Sequence, residues 1–171
     1  MEKKYLSEFV YGGIDGSVTT FAIVAGVIGA SLSSTIILIL GFANLFADGF
    51  SMAVSSYLSK KSQFEVATKH VKQYHSRKKP INSAIATFIS FILIGFIPLL
   101  SFVLAYFIPI IEQSKFTYSI ILTGIAFLVI GGFRGKIANK SPIRTSLETL
   151  VMGGIAAIIA FTIGFLLKNL I

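Results

Sequence analysis

Long apolar runs separated by short charged segments dominate the pattern of this chain. Residues 16–47 contain no charged side chain, and the same holds for residues 81–111, 116–133 and 149–167. A helix needs about 20 mostly apolar residues to cross the hydrocarbon core of a bilayer. The first run is too long for one crossing, and its Ser-Leu-Ser-Ser segment at 31–34 predicts a turn between two helices.

The pattern therefore predicts an all-α integral membrane protein with five transmembrane helices in a single transmembrane domain over residues 1–171. The expected helices lie at about 9–31, 35–58, 81–108, 116–134 and 146–168. A basic linker occupies residues 59–80, and the absence of Gly and Pro before Pro80 also allows the second helix to continue beyond the membrane. The N-terminal segment over residues 1–8 contains two acids, and no small-residue cleavage site follows an isolated apolar core, so a removable signal peptide is not expected.

Composition supports the membrane class and excludes several others. The chain is 54% hydrophobic and only 13% charged, which is too few charges for the surface of a water-soluble domain. It has no cysteine, which excludes disulfides and thiolate metal sites. The net charge of +8 is explained by membrane topology, so we expect no nucleic-acid partner. The basic linker is expected to contact anionic lipid headgroups.

The distribution of Lys and Arg predicts the orientation. With five spans, all Lys and Arg residues except Lys115 and Lys168 fall on one side of the membrane. Loops rich in Lys and Arg stay in the cytoplasm, so the N-terminus is expected there and the C-terminus on the opposite side. No sorting signal is visible, so the plasma membrane is the expected location in a bacterium.

Two aspartates are predicted to lie inside the bilayer at nearly the same depth. Measured from the predicted outer turn at 1.5 Å per residue, Asp15 lies about 24 Å inward and Asp48 about 21 Å. The hydrocarbon core is about 30 Å thick. Asn44 and Met52 stand one helical turn on either side of Asp48, on the same face. Glu148 is expected near the cytoplasmic boundary of the fifth helix.

These positions predict a metal site. A charged carboxylate inside lipid costs at least about 2.5 kcal/mol on the insertion scale. A divalent cation offsets the charge of two carboxylates at once. Oxygen ligands alone suit Mg²⁺ or Ca²⁺, whereas an added thioether shifts the preference toward Fe²⁺ or Mn²⁺. The candidate metal ligands are Asp15, Asp48, Met52, Asn44 and Glu148.

Structural explanations remain open for each of these residues. Met52 is also expected as packing material, and an isolated aspartate in a span is sometimes a protonated or hydrogen-bonded structural acid. Glu148 has Arg134 and Arg144 as potential ion-pair partners. A second possible metal pair, His70 and His75, is five residues apart, which suits a shared helical site less than three or four.

Four stretches resemble the vacuolar iron transporter family, which includes plant nodulin-like and bacterial members. They are "GGIDGSVTTFAIVAG", "GFANLFADGFSMAVSSYLSKKSQ", "PINSAIATFISFILIGFIPLL" and "IRTSLETLVMGGIAAIIAFTIG". The resemblance implies a homodimer of five-helix protomers with an ion path at the dimer interface, lined by the first two helices. It also implies export of cytosolic Fe²⁺ or Mn²⁺ in exchange for protons, with no cofactor beyond the transported metal and no catalytic residues. In a eukaryote the resemblance implies a vacuolar-type membrane.

The family motifs fall on particular residues of this chain. The first-helix aspartate of the family falls on Asp15, and its second-helix methionine falls on Met52. Many members have a glutamate eight positions before that methionine, where this chain has Asn44, and Asp48 one turn later is the candidate replacement. Many members also insert a cytoplasmic metal-collecting domain, rich in Glu and Met, after the second span. Here only the short basic linker is present, so the chain resembles the shortened branch.

Two other functions remain as alternatives to transport. A non-transporting membrane scaffold or assembly protein would use the acids to pair with partner helices. An intramembrane aspartate protease would use Asp15 and Asp48 as its catalytic pair, but nothing else in the chain indicates a substrate groove. Neither the sequence nor the resemblance decides between Fe²⁺ and Mn²⁺ or sets the number of protons exchanged.

Overall fold

The computed structural model describes residues 3–70 and 79–170 and is helical throughout this part of the chain, with no strand in it. A short 3-10 turn at Lys3–Tyr5 precedes the first helix. The helices are α1 (Leu6–Gly29), α2 (Ser34–His70), α3 (Pro80–Gly95), α4 (Ile97–Phe107), α5 (Pro109–Glu112), α6 (Lys115–Ile137) and α7 (Pro142–Leu167). The predicted all-α fold is confirmed.

Four helices, α1, α2, α6 and α7, are individually long and apolar enough to cross a membrane. Helices α3 and α4 meet the same criterion together and are bent by 48° where they join, so the chain has up to five spans. The predicted continuous helix over 81–108 is therefore broken at Phe96. Pro98 lies in the first turn of α4, where its missing N–H and the bulk of its ring interrupt the helical hydrogen bonds.

Helix α2 is much longer than the predicted span over 35–58. It continues to His70, so the first half of the predicted linker is helical and extends α2 beyond the length that a membrane requires. His75 lies outside the described residues, so the proposed pairing of His70 with His75 is not addressed by the structure.

Helix α1 lies at the centre of the bundle and packs most extensively against α3 and α7. Its glycines allow backbone-to-backbone contact on both sides. A Cβ atom added at Gly16 would overlap the carbonyl oxygen of Phe91 in α3, and one at Gly29 would overlap that of Phe161 in α7. These close approaches fix the position and rotation of α1, and with it the direction of the polar face that carries Asp15.

The apolar core forms around the same helix. Phe21 of α1 meets Phe127 of α6 edge to face, with ring centroids 6.4 Å apart. The other fully enclosed apolar side chains of this cluster are Val24, Val27, Ile37, Leu45, Phe91, Leu99 and Phe102. Helix α7, in contrast, leaves most of its apolar surface uncovered, as expected for a helix that faces lipid or a partner protein.

The contact at Gly16 gives a testable prediction. Gly16→Ala should destabilise the protein by about 1–3 kcal/mol, because the added methyl group meets backbone atoms of α3 that cannot move independently. Gly154→Ala is the matched control, since a Cβ atom there has no neighbour within 4 Å and alanine is the better helix former. Thermal unfolding in detergent measures both variants. Equal melting temperatures would contradict the proposed role of Gly16 in packing.

Candidate functional site

Asp15 of α1 and Asp48 of α2 form the centre of the candidate site. They are equally far along their helices from the turn that joins α1 to α2, so they lie at the same level of the bundle. Both residues are half-buried, and their carboxyl groups are close enough for the two negative charges to repel each other. The two aspartates selected from the sequence therefore lie at one level of the same bundle.

Asn44 and Met52 flank Asp48 on α2 and join it to neighbouring helices. The Asn44 Nδ2 atom donates a hydrogen bond of 3.4 Å to Thr19 Oγ1, and that hydroxyl donates one of 2.8 Å to the carbonyl oxygen of Asp15. Met52 packs against the apolar core on one side and lines a polar cavity on the other. An amide and a thioether therefore stand one helical turn on either side of Asp48.

The face of the bundle that carries this site is open and consists of small residues. On α1, Thr19, Ala22 and Gly26 continue the half-buried line that begins at Asp15. On α2, an exposed line of small residues recurs every fourth position, at Ala43, Ala47, Ser51, Ser55 and Ser59. Lines of this kind are typical of surfaces where two membrane helices approach closely.

Glu148 of α7 has arginine partners instead of the aspartates. Its Oε2 atom is 3.7 Å from Arg134 Nη1, and Arg144 Nε donates a hydrogen bond of 3.2 Å to its Oε1 atom. These are the ion pairs that the sequence left open as an alternative. Among the described residues, no group of three or more His, Cys, Asp or Glu side chains is placed to hold a metal. The candidate site in this chain thus consists of two carboxylates, one amide and one thioether.

The structure also adds two residues that the sequence analysis did not select. Glu8 is buried near the start of α1, and its Oε1 atom is 3.6 Å from Lys60 Nζ of α2. Glu8 precedes Asp15 by seven residues, which places both on the same face of α1. The seven-residue spacing could have identified Glu8 as a candidate site residue. Its burial was not predictable, because Glu8 precedes the first predicted span.

Contacts between chain segments gather the N-terminus, the start of α3 and the end of α6 at one end of the bundle. The backbone N–H of Lys79 donates a hydrogen bond of 3.1 Å to the hydroxyl of Tyr5. Arg134 and Ile137 line a shared crevice with Tyr11 of α1. The basic residues of these segments are consequently concentrated at this end.

The repulsion between the aspartates predicts a gain in stability when one is neutralised. Asp15→Asn should raise the stability of the metal-free protein by about 1 kcal/mol, or about 2–4 °C in melting temperature for a chain of this size. Glu148→Gln is the control, and it should give no gain because two arginines already compensate its charge. Thermal unfolding with a chelator present measures both. A lower melting temperature for Asp15→Asn would contradict the repulsion.

Comparison with known proteins assigns the chain to a family. The VIT family profile matches residues 6–77 and 70–165. The "Vacuolar iron transporter" of Plasmodium berghei (strain Anka) is 25% identical over 230 aligned positions, covering 99% of this chain and 84% of the relative. "Vacuolar iron transporter homolog 4" of Arabidopsis thaliana is 29% identical over 170 positions, covering 95% and 82%.

The lengths of these alignments distinguish two kinds of relative. The Plasmodium alignment is longer than the 171 residues of this chain, so that relative has a segment which this chain lacks. The Arabidopsis alignment needs no insertion of that size.

The "Vacuolar iron transporter" of Toxoplasma gondii (strain ATCC 50861 / VEG) is 51% identical over 55 residues, or 32% of this chain and 18% of the relative. The chain is thus a multi-pass membrane protein that belongs to the VIT family of metal transporters.

Proposed function

We propose that this protein exports Fe²⁺ or Mn²⁺ from the cytoplasm in exchange for protons and that it works as a homodimer. The observation that supports this most directly is the pair Asp15 and Asp48, two mutually repelling carboxylates on one open face of a membrane-spanning bundle. The relatives that carry the name vacuolar iron transporter support iron as a substrate. No covalent step is part of the proposed mechanism, so the protein acts as a transporter and not as an enzyme.

In the proposed mechanism, the metal binds between the two aspartates. Its two positive charges compensate both carboxylates, which otherwise repel each other in a medium of low dielectric constant. Met52 adds a soft sulfur ligand that favours a transition metal over Mg²⁺ or Ca²⁺. Asn44 adds an amide oxygen one turn further toward the outer end of α2.

Proton exchange follows from the same electrostatic requirement. When the metal leaves, the charge on the carboxylates again requires compensation, and a proton supplies it in place of the ion. Metal and protons therefore compete for the same oxygens of Asp15 and Asp48. Binding the metal from one side and protons from the other couples the two movements in opposite directions.

The proposed direction rests on the basic end of the bundle. The segments that contain Lys79 and Arg134 lie together at this end, as the positive-inside rule requires of a cytoplasmic surface. In this orientation Glu148 is at the cytoplasmic boundary, where two arginines compensate its charge. The C-terminus of α7 then lies on the opposite side of the membrane.

The homodimer is proposed because the site is open on its small-residue face. Two carboxylates and one thioether leave a divalent transition metal with unfilled coordination positions. A second copy packed on the small residues of α2 would bring its own Asp15, Asp48 and Met52 to the same place. The ion path would then run between two protomers.

Transport of metal by purified protein in liposomes tests the function. Wild-type protein should accumulate Fe²⁺ or Mn²⁺ under a proton gradient. Asp48→Asn should abolish this uptake, because one of the two carboxylates is lost, whereas Glu112→Gln should not, since Glu112 lies beside Lys115 at the far end of α6 from the site. A wild-type protein that moves neither metal and gains no thermal stability from them would favour the scaffold alternative.

The thioether has its own prediction. Met52→Leu keeps the size of the side chain but should lower uptake of Fe²⁺ and Mn²⁺ at least about tenfold, because leucine cannot coordinate a metal. Met152→Leu is the matched control, since Met152 is 69% exposed on α7. Concentration-dependent uptake distinguishes the two variants. Equal loss in both would show that the effect does not come from a ligand at Met52.

The absence of cysteine makes the dimer directly testable. Ser51→Cys places a single thiol on the exposed small-residue line of α2, and mild oxidation in membranes should give a disulfide-linked dimer. Ile121→Cys on the exposed surface of α6 should remain monomeric under the same conditions. The products are separated by non-reducing electrophoresis. Cross-linking at Ile121 and not at Ser51 would place the interface elsewhere.

A further inference from the structure

A polar cavity of about 500 Å³ adjoins the candidate metal site at the basic end of the bundle. Helices α1, α2 and α3 form its walls, and its lining includes Glu8, Tyr11, Met52, Ser56, Lys60 and Thr87. Met52 belongs both to this lining and to the proposed ligand set, one turn from Asp48. The cavity therefore extends from the basic end to Met52, one helical turn short of Asp48.

Glu8 is the carboxylate of this cavity, and it is compensated by a lysine. Its side chain is only 8% exposed, and the Ser7 hydroxyl donates a hydrogen bond of 2.7 Å to its Oε2 atom. Lys60 Nζ lies 3.6 Å from the other carboxylate oxygen. A buried carboxylate is strongly destabilising unless a positive charge accompanies it. Lys60 supplies that charge from α2.

Lys60 occupies the place that a cation would take beside Glu8. Its ammonium group is at the end of a flexible four-carbon stem, and the side chain is 30% exposed, so the group can move out without unfolding the helix. The neighbouring Lys61 differs, because it is 54% exposed and lies 4.0 Å from Glu65, its neighbour one turn along α2. Only Lys60 of this adjacent pair lines the cavity.

The remaining lining suits an ion that keeps part of its water shell. Thr87 Oγ1 donates a hydrogen bond of 3.4 Å to Ser56 Oγ, and further serine hydroxyls of α2 line the same wall. Hydroxyl oxygens hydrogen-bond to coordinated water, and a cavity of this volume holds a divalent ion together with several water molecules. Glu8 and Lys60 are the charged residues of this lining, and their charges are opposite.

We propose that this cavity is a vestibule which binds a hydrated divalent transition-metal ion through Glu8, and that Lys60 is a built-in competing cation which the metal displaces. This inference rests on the proposed transport function, because it describes how the ion reaches Asp15 and Asp48. The exchange of one cation for another means that Glu8 is never left buried without a positive charge. Lys60 thereby raises the metal concentration at which the vestibule fills.

Equilibrium binding of Mn²⁺ to the purified full-length chain tests the inference. Lys60→Gln should tighten Mn²⁺ binding about three- to fivefold, the range set by loss of a partly exposed ion pair. Lys60→Met, which keeps most of the stem, should give the same gain and guards against a packing defect. Lys60→Arg retains the charge, and Lys61→Gln removes a charge outside the cavity, so both should bind Mn²⁺ as the wild type does.

The double variant Glu8→Gln with Lys60→Gln should lose the gain, because the carboxylate that binds the ion is then absent. Unchanged or weaker Mn²⁺ binding in both Lys60→Gln and Lys60→Met would overturn the inference. An equal gain in Lys61→Gln would also overturn it, since the effect would then come from the overall charge. Export is measured separately in liposomes. A wild-type protein that transports no metal would refute the proposed function, whereas the Mn²⁺-binding measurements would still test the role of Glu8 and Lys60.

Discussion

The repulsion between Asp15 and Asp48 is the constraint on which the arrangement of this protein depends. Two carboxylates at one level of a membrane-spanning bundle are unfavourable, and nothing in their apolar spans compensates them within the sequence itself. The bundle nevertheless holds them together, through the turn that joins α1 to α2 and the Asn44–Thr19 hydrogen bond. This pair is the basis of the proposed metal site, because a divalent cation would compensate both charges at once.

Close packing of α1 makes this possible. Its glycines contact the backbones of α3 and α7, so the helix is held on two sides and cannot rotate to take Asp15 away from Asp48. The same packing leaves a third side of α1 open beside the small-residue line of α2. A rigid, glycine-packed helix with one uncovered polar face is consistent with a site that is completed by a second protomer.

Four acids of the chain differ in their surroundings. Glu148 at the basic end is held by two arginines, and the buried Glu8 lies beside Lys60. Asp15 and Asp48, deeper in the bundle, are half-buried at one level. The ion pairs of these four acids therefore lie at the basic end of the described bundle. A cation at the aspartate pair would meet less competition from lysine and arginine side chains than a cation at the basic end.

The sequence by itself determined the all-α membrane class, the turn near residues 31–34, the common level of Asp15 and Asp48 and the family. These features depend on local hydropathy and helical spacing, which are properties of consecutive residues. Tertiary structure alone decided the burial of Glu8 against Lys60, and it brought Arg134 of α6 to Glu148 of α7. Each of these depends on which helices become neighbours, and hydropathy along the chain does not encode the lateral order of spans that are all equally soluble in lipid.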